Sequence, residues 1–90
     1  MNKLYLLVYS PEGEDKKTVA RESITAWLDK QPWATQWFYN MPNSIFIKSN
    51  IHIKTMTEEF QKEFGLRRHF FISVDAPYWG RLPTDHWKFF

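Results

Sequence analysis

Leu4-Tyr5-Leu6-Leu7-Val8-Tyr9, residues 4–9, is apolar at every position, and this stretch decides the fold class. A strand that faces water on one side alternates apolar and polar residues, whereas a central strand that is covered on both faces is apolar throughout. The six residues therefore predict the central strand of a sheet. The polar stretch 10–15, which is rich in turn-forming residues, predicts a loop directly after that strand.

A helix is predicted after this loop. Asp15 or Thr18 is expected to cap its first turn, and Pro32 is expected to end it, because residues that precede proline are pushed out of the helical region. Four apolar residues recur at helical spacing and predict its buried face. They are Ala20, Ile24, Trp27 and Leu28.

The middle of the chain predicts a β-hairpin. Residues 35–39 and 44–49 are rich in aromatic and β-branched side chains, and they flank the turn-forming residues 40–43. These two segments are expected to be the second and third strands of the sheet.

A second helix and a last strand complete the pattern. Thr55 and Glu58 have the spacing of a capping box, which predicts a helix over residues 56–64 that Gly65 stops. Residues 67–75 alternate in the manner of a strand, with Phe70, Ile72 and Val74 on one side and the residues between them on the other.

The predicted order is β-α-β-β-α-β, which makes the chain an α+β protein. The expected fold is a ferredoxin-like sandwich: a four-stranded antiparallel sheet in the order 4-1-3-2, with both helices on one face. No repeat or linker divides the chain, so residues 1–90 are expected to form one domain, with residues 76–90 packed on it as an aromatic tail.

Composition limits the classes of function. The 90 residues include no cysteine, which excludes disulfides, cysteine zinc sites and thiol nucleophiles. The N-terminal apolar run is too short to span a bilayer and has no cleavage site behind it, so we expect a cytoplasmic protein without a membrane partner. The net charge of +2 neither demands nor excludes an anionic partner.

The sheet is expected to carry an exposed aromatic surface on the side away from the helices. If Leu4, Leu6 and Val8 face the helices, the alternate residues of the first strand lie on the other side, near aromatic residues of the third and fourth strands. The expected members of this surface are Tyr5, Leu7, Tyr9, Phe46 and Phe71. Such a patch marks a partner. The tail, a second copy of the chain and stacked nucleic-acid bases are the three possible coverings.

Basic residues suggest where an anion would bind. Lys48 and Arg68 would meet phosphates near the aromatic surface. Arg68 belongs to the densest basic cluster, Arg67-Arg68-His69, whose simpler interpretation is a set of solvated charges. Arg81 lies in the turn-rich segment 80–87, where it would bind an anion or a carboxylate of a partner, or serve only the local structure.

Catalytic chemistry is not predicted. Catalysis or metal binding would require histidine and carboxylate side chains at matching spacings. The candidates, none spaced as a ligand pair, are His52, His69, His86, Asp75 and Asp85. We therefore predict no catalytic residue, no metal site and no cofactor.

Three stretches together resemble a known family. They are residues 3–9, the hairpin that leads from Trp37 through residues 43–47, and the closing Gly80-Arg81-Leu82-Pro83 with Trp87. They resemble the small bacterial and phage proteins of the SinR family, which are unrelated to the helix-turn-helix regulator of that name. The family typically has tryptophan where this chain has Arg81. The resemblance implies the fold and assigns no activity.

That family is similar in turn to the CRISPR-adaptation and VapD-like proteins, which are ferredoxin-like homodimers and include metal-dependent nucleases. In those proteins an aspartate at the end of the first strand binds the metal, and the matching residue here is Ser10. Glu12, Glu14 and Asp15 lie in the loop that follows. A nuclease that resembles them would have to use these loop carboxylates instead.

The function expected from the sequence is a non-enzymatic homodimer that binds a protein or a nucleic acid. The resemblance implies a role in phage or mobile-element conflict. The metal-dependent nuclease is the alternative, and a small-ligand pocket between tail and sheet, lined by Tyr5, Phe71 and Trp79, is a third possibility.

Overall fold

A computed structural model describes residues 2–13, 16–39, 41–65, 67–74 and 89. It contains six elements in the predicted order: β1 (Lys3–Tyr9), α1 (Arg21–Asp29), β2 (Ala34–Phe38), β3 (Ser44–Ser49), α2 (Ile53–Phe64) and β4 (His69–Ser73). The α+β class, the four-stranded antiparallel sheet and the two helices are confirmed. Apart from Phe89, the predicted tail lies outside the described residues, as do Asp15, Trp79 and Arg81.

β1 lies inside the sheet, as its continuous apolar sequence predicts. It pairs antiparallel with β3 on one side and with β4 on the other, while β2 pairs with β3. The resulting order, β2-β3-β1-β4, has the neighbours of the predicted order 4-1-3-2 counted from the opposite edge. Leu6, at the centre of β1, lies between Phe46 of β3 and Ile72 of β4.

The core lies between the sheet and both helices. Within it, the indole of Trp27 on α1 meets the rings of Trp33, Phe60 and Phe64 edge to face at centroid distances of 5.5, 6.0 and 5.3 Å. Edge-to-face contacts suit aromatic rings, because the positive edge of one ring meets the negative face of the next. Of the four predicted inward residues, Ile24, Trp27 and Leu28 are buried, whereas Ala20 is exposed and precedes the helix as its N-cap.

The predicted facing of β1 is wrong. Tyr5, Leu7 and Tyr9 pack in the core with the helices, together with Phe71, whereas Leu6 and Val8 lie on the other face of the sheet. Both alternate sets of β1 are apolar, so hydrophobicity alone does not determine which set faces the helices. Tyr5 can be buried because its hydroxyl donates to the carbonyl of Ile51 at 3.3 Å.

The capping box predicted for α2 and the cap predicted at Thr18 for α1 are also wrong. α2 begins at Ile53, and His52 is its N-cap: Nδ1 of His52 accepts a hydrogen bond from the amide of Lys54 at 3.0 Å. Thr55 therefore lies inside the first turn. α1 begins after Ala20, and Thr18 instead forms an isolated β-bridge with Glu12.

The predicted stop of α2 is confirmed. Gly65 follows the last helical residue with a φ of 76°, a conformation that glycine adopts at little cost, and its amide bonds back to the carbonyl of Gln61 at 2.8 Å. Within the described residues, neither helix is long and apolar enough to cross a bilayer.

Exchanging the two candidate caps of α2 for alanine tests this assignment. We expect His52→Ala to lower the free energy of unfolding by about 1 kcal/mol, because an amide of the first turn loses its acceptor. Thr55→Ala is the matched control and should cost little, since alanine favours the helix interior. Urea unfolding measures both. A larger loss for Thr55→Ala would restore the capping box.

Candidate binding surface

The sheet has an open face, on the side away from the helices. Alternation along the strands places on it Leu6 and Val8 of β1, Phe46 and Lys48 of β3, Phe38 of β2, and Phe70 and Ile72 of β4. Cross-strand register sets Leu6 beside Phe46 and Ile72, and Val8 beside Phe70. The open face is thus a continuous apolar layer across the sheet, as expected from the sequence, but it is formed by the opposite set of β1 residues.

Phe89 covers the half of the open face near β2. Phe89 is buried, and its ring stacks on that of Phe38 with centroids 5.4 Å apart. The ammonium group of Lys48 donates to the carbonyl of Phe89 at 2.5 Å and lies 4.5 Å from the centre of its ring. Phe89, from the predicted tail, therefore covers the sheet at this position, and the ammonium group of Lys48 is bonded within the chain.

The half near β4 presents an exposed apolar patch. Phe70 is 51% exposed and Ile72 is 45% exposed, although both lie in the middle of a regular strand. Half-buried Leu6 and Val8 are their neighbours on β1. We call Leu6, Val8, Phe70 and Ile72 the β4 patch. Large apolar side chains that are grouped and exposed in this way mark a site of interaction.

The charges near the β4 patch have one sign. Arg68 is exposed and comes just before β4, in register with Ser10, whose amide donates to the carbonyl of Arg68 at 2.7 Å. Lys48 is the other ionised side chain on the described part of the open face, and no described carboxylate lies there. An opposing surface would be favoured by apolar contact and by a negative charge near Arg68.

The other predicted site residues occupy different environments. Tyr5, Tyr9 and Phe71, expected on the exposed surface, are core residues, and Phe71 meets Phe60 edge to face at 6.0 Å. Phe46 and Lys48 lie on the open face as predicted. Of the three residues predicted to line a pocket between tail and sheet, Tyr5 and Phe71 are core residues, and Trp79 lies outside the described residues. A surface cavity of about 210 Å³ lies near the start of α2. It is lined by Lys3, Tyr5, Ser49, Asn50, Ile51 and His52.

Arg67 is a structural residue, contrary to its predicted place in a solvated basic cluster. Only 7% of its surface is exposed. Its Nε donates to the carbonyl of Phe64 at 3.1 Å, and its Nη1 donates to the carbonyl of Pro11 at 2.6 Å. The guanidinium thus joins the end of α2 to the loop after β1, and Arg68 alone of the pair faces water.

Tyr9 lies where the end of β1 meets the first turn of α1. Burial raises the pKa of its phenol above the ordinary 10.0, Arg21 lowers this pKa, and Glu22 raises it. The guanidinium of Arg21 lies 3.6 Å from the centre of the Tyr39 ring, and Tyr39 stacks in parallel on Trp37. Trp37 and Tyr39 are partly buried and pack against the core.

The groups considered for catalysis do not converge in the described part of the chain. The Ser10 hydroxyl donates to the carbonyl of Glu12 at 3.0 Å, while Glu14 and Asp15 lie outside the described residues. Nδ1 of His69 bonds to the carbonyl of Arg67 at 2.9 Å, and its ring packs against Phe60. Among described residues, no three histidine, aspartate or glutamate side chains are grouped so that they could hold a metal ion.

No family model, curated protein or solved structure matches this chain. The geometry of the open face identifies two residues that the sequence analysis did not select as site residues, Phe70 and Ile72. Their alternation along β4 was visible in the sequence, but the reversed assignment of faces placed them in the core.

The neighbouring arginines provide a matched test of their two environments. We expect Arg67→Met to lower the free energy of unfolding by about 2 kcal/mol, because two carbonyl groups lose a charged donor. Arg68→Met should have little effect, since its side chain is exposed. Urea unfolding compares the two. Equal losses would contradict the buried role of Arg67.

Alkaline pH tests the environment of Tyr9. Because its pKa is higher in the folded than in the unfolded chain, the folded state holds the proton more strongly. This contribution is complete below the unfolded pKa of about 10 and is lost as pH rises through the folded pKa. Between about pH 8 and pH 11, the parent should lose more stability than Tyr9→Phe. Parallel pH profiles in urea unfolding would contradict the assignment.

Proposed function

We propose that this chain is a non-enzymatic binding protein that engages a protein partner through the β4 patch. The observation that carries this proposal is the exposure of Phe70 and Ile72, 51% and 45%, on a regular strand beside half-buried Leu6 and Val8. Because each side chain is about half exposed, complete burial by a partner would contribute roughly half of the 1.5–3 kcal/mol that burying a whole apolar side chain contributes. A complementary surface would recover part of that free energy on binding.

A protein surface suits this patch better than a nucleic acid does. Single strands are held by bases that stack on aromatic rings and by cations along the phosphates. The β4 patch is mainly aliphatic, with Phe70 as its one ring, and Arg68 is the described cation beside it that faces water. Lys48 bonds to the carbonyl of Phe89, and Arg67 is buried. We therefore propose a partner with apolar side chains and a carboxylate opposite Arg68.

We also propose a fold, a biological setting and an assembly for this chain. We propose that the α+β sandwich is ferredoxin-like, since both helices cover one face of a sheet with this strand order. The resemblance to SinR-family proteins supports a setting in phage or mobile-element conflict, and the absence of cysteine from the sequence suits the reducing cytoplasm. A homodimer is the proposed assembly.

Photo-crosslinking tests the surface directly. In cells that express the chain, a benzophenone amino acid at position 70 should form adducts with a protein other than a second copy of this chain. The same probe at Gln61, exposed on α2, should not form them. We expect Ile72→Lys to weaken binding of the adduct protein, once purified, at least about tenfold. Gln61→Lys adds the same charge elsewhere and should leave binding unchanged.

Two results would reject a protein partner at this patch. One is binding that Ile72→Lys and Gln61→Lys weaken equally. The other is retention of an oligothymidine strand that Arg68→Ala or high salt releases, because a salt-dependent affinity would indicate phosphate contacts instead.

A further inference from the structure

The two edges of the sheet differ in their protection against pairing with another strand. At the β2 edge the register shifts between Ala34 and Gln36, and Phe89 covers Phe38. Bulges, charges, proline and covering segments are the means by which proteins protect an edge. β4 pairs with β1 in unbroken register, and its five residues include no proline, lysine or carboxylate.

The hydrogen bonds to β1 determine which backbone groups β4 presents at its outer edge. The amide of Ser10 donates to the carbonyl of Arg68 at 2.7 Å, and the amide of Val74 donates to the carbonyl of Leu4 at 2.9 Å. Because bonded and non-bonded pairs alternate in an antiparallel ladder, Phe70 and Ile72 also direct their backbone groups toward β1. His69, Phe71 and Ser73 therefore direct theirs outward, where no described strand pairs with them.

This outer edge is complementary to itself. If a two-fold axis passes beside Phe71, Phe71 lies opposite its own copy and His69 lies opposite the partner's Ser73. By symmetry the His69–Ser73 pair occurs twice, so three pairs each bring two outward amides to outward carbonyls, for about six hydrogen bonds in all. A shift of the register by two residues in either direction would move one end of β4 beyond the other strand.

The side chains favour the same register. On the open face, Phe70 would lie opposite the partner's Ile72, and this pair would occur twice. These are the two large exposed apolar residues of the strand. Directly opposed aromatic and β-branched residues stabilise antiparallel pairs. The two copies of Arg68 would lie at opposite ends of the interface, so that like charges do not meet.

We propose that two copies of the chain associate edge to edge through antiparallel pairing of β4 with β4, with the two-fold axis at Phe71. The four-stranded sheets then form one continuous eight-stranded sheet. This proposal rests on the outward backbone groups of β4 and on the exposure of Phe70 and Ile72, and it does not require the protein partner proposed above.

A proline substitution tests the backbone pairing. The amide of Ser73 points outward, so Ser73→Pro removes an interface donor and leaves the β1 ladder intact. Sedimentation equilibrium should give the parent twice the chain mass of 10.9 kDa. We expect Ser73→Pro to raise the dimer Kd at least about tenfold, whereas Ser73→Ala, which keeps the amide, should match the parent.

Disulfide trapping tests the register in a chain that has no cysteine of its own. Phe70 and the partner's Ile72 would form a non-hydrogen-bonded pair with Cα atoms about 4.5 Å apart, which suits a disulfide. A mixture of Phe70→Cys and Ile72→Cys should therefore oxidise to a mixed dimer faster than either variant alone.

Three results would overturn the edge pairing. The first is a parent chain that stays monomeric at about 100 times the concentration used for partner binding. The second is a dimer Kd that is the same for Ser73→Pro as for Ser73→Ala. The third is a rate of disulfide formation by Phe70→Cys alone that equals the rate for the mixture. Partner binding by Ile72→Lys and Gln61→Lys is also compared in the Ser73→Pro background, where the dimer is weakened. Failure of the dimer is therefore distinguishable from failure of the proposed function.

Discussion

The two-sided apolar character of β1 is the constraint on which the structure depends. β1 makes both interior pairings of the sheet, and it contributes Tyr5, Leu7 and Tyr9 to the core while Leu6 and Val8 lie on the open face. A strand with apolar residues on both sides needs cover on both sides. The helices cover one face, and Phe89 covers the half of the other face near β2. The β4 patch is the part that the described residues leave uncovered.

The order and pairing of the elements could be predicted because they follow from local periodicity and from the few ways of connecting such elements. The facing of β1 could not, because moving an alternating pattern by one residue exchanges its faces, and here both sets are apolar. The choice depends on contacts between distant residues, such as the bond from the Tyr5 hydroxyl to the carbonyl of Ile51. No window along the sequence contains that information.

Charged residues show the same limit. Arg67 and Arg68 are adjacent and chemically identical, yet one is buried against two carbonyl groups and the other faces water. Lys48 was predicted correctly on the open face, but its bond to the carbonyl of Phe89 depends on where the end of the chain folds back. The sequence thus shows which residues have the chemistry to bind a partner. Tertiary contacts decide whether those side chains face water or are already bonded within the fold.

Edge pairing and partner binding do not compete, because they use different directions of the same strand. Pairing uses N–H and C=O groups that lie in the plane of the sheet, whereas the β4 patch uses side chains that stand perpendicular to it. In the proposed dimer, Phe70 adjoins the partner's Ile72, so the two patches become one apolar surface across the two-fold axis. A partner that spans this axis would contact both copies at once, and the second contact would form at a high effective concentration. Association of β4 with β4 would thereby strengthen partner binding without adding a new kind of contact.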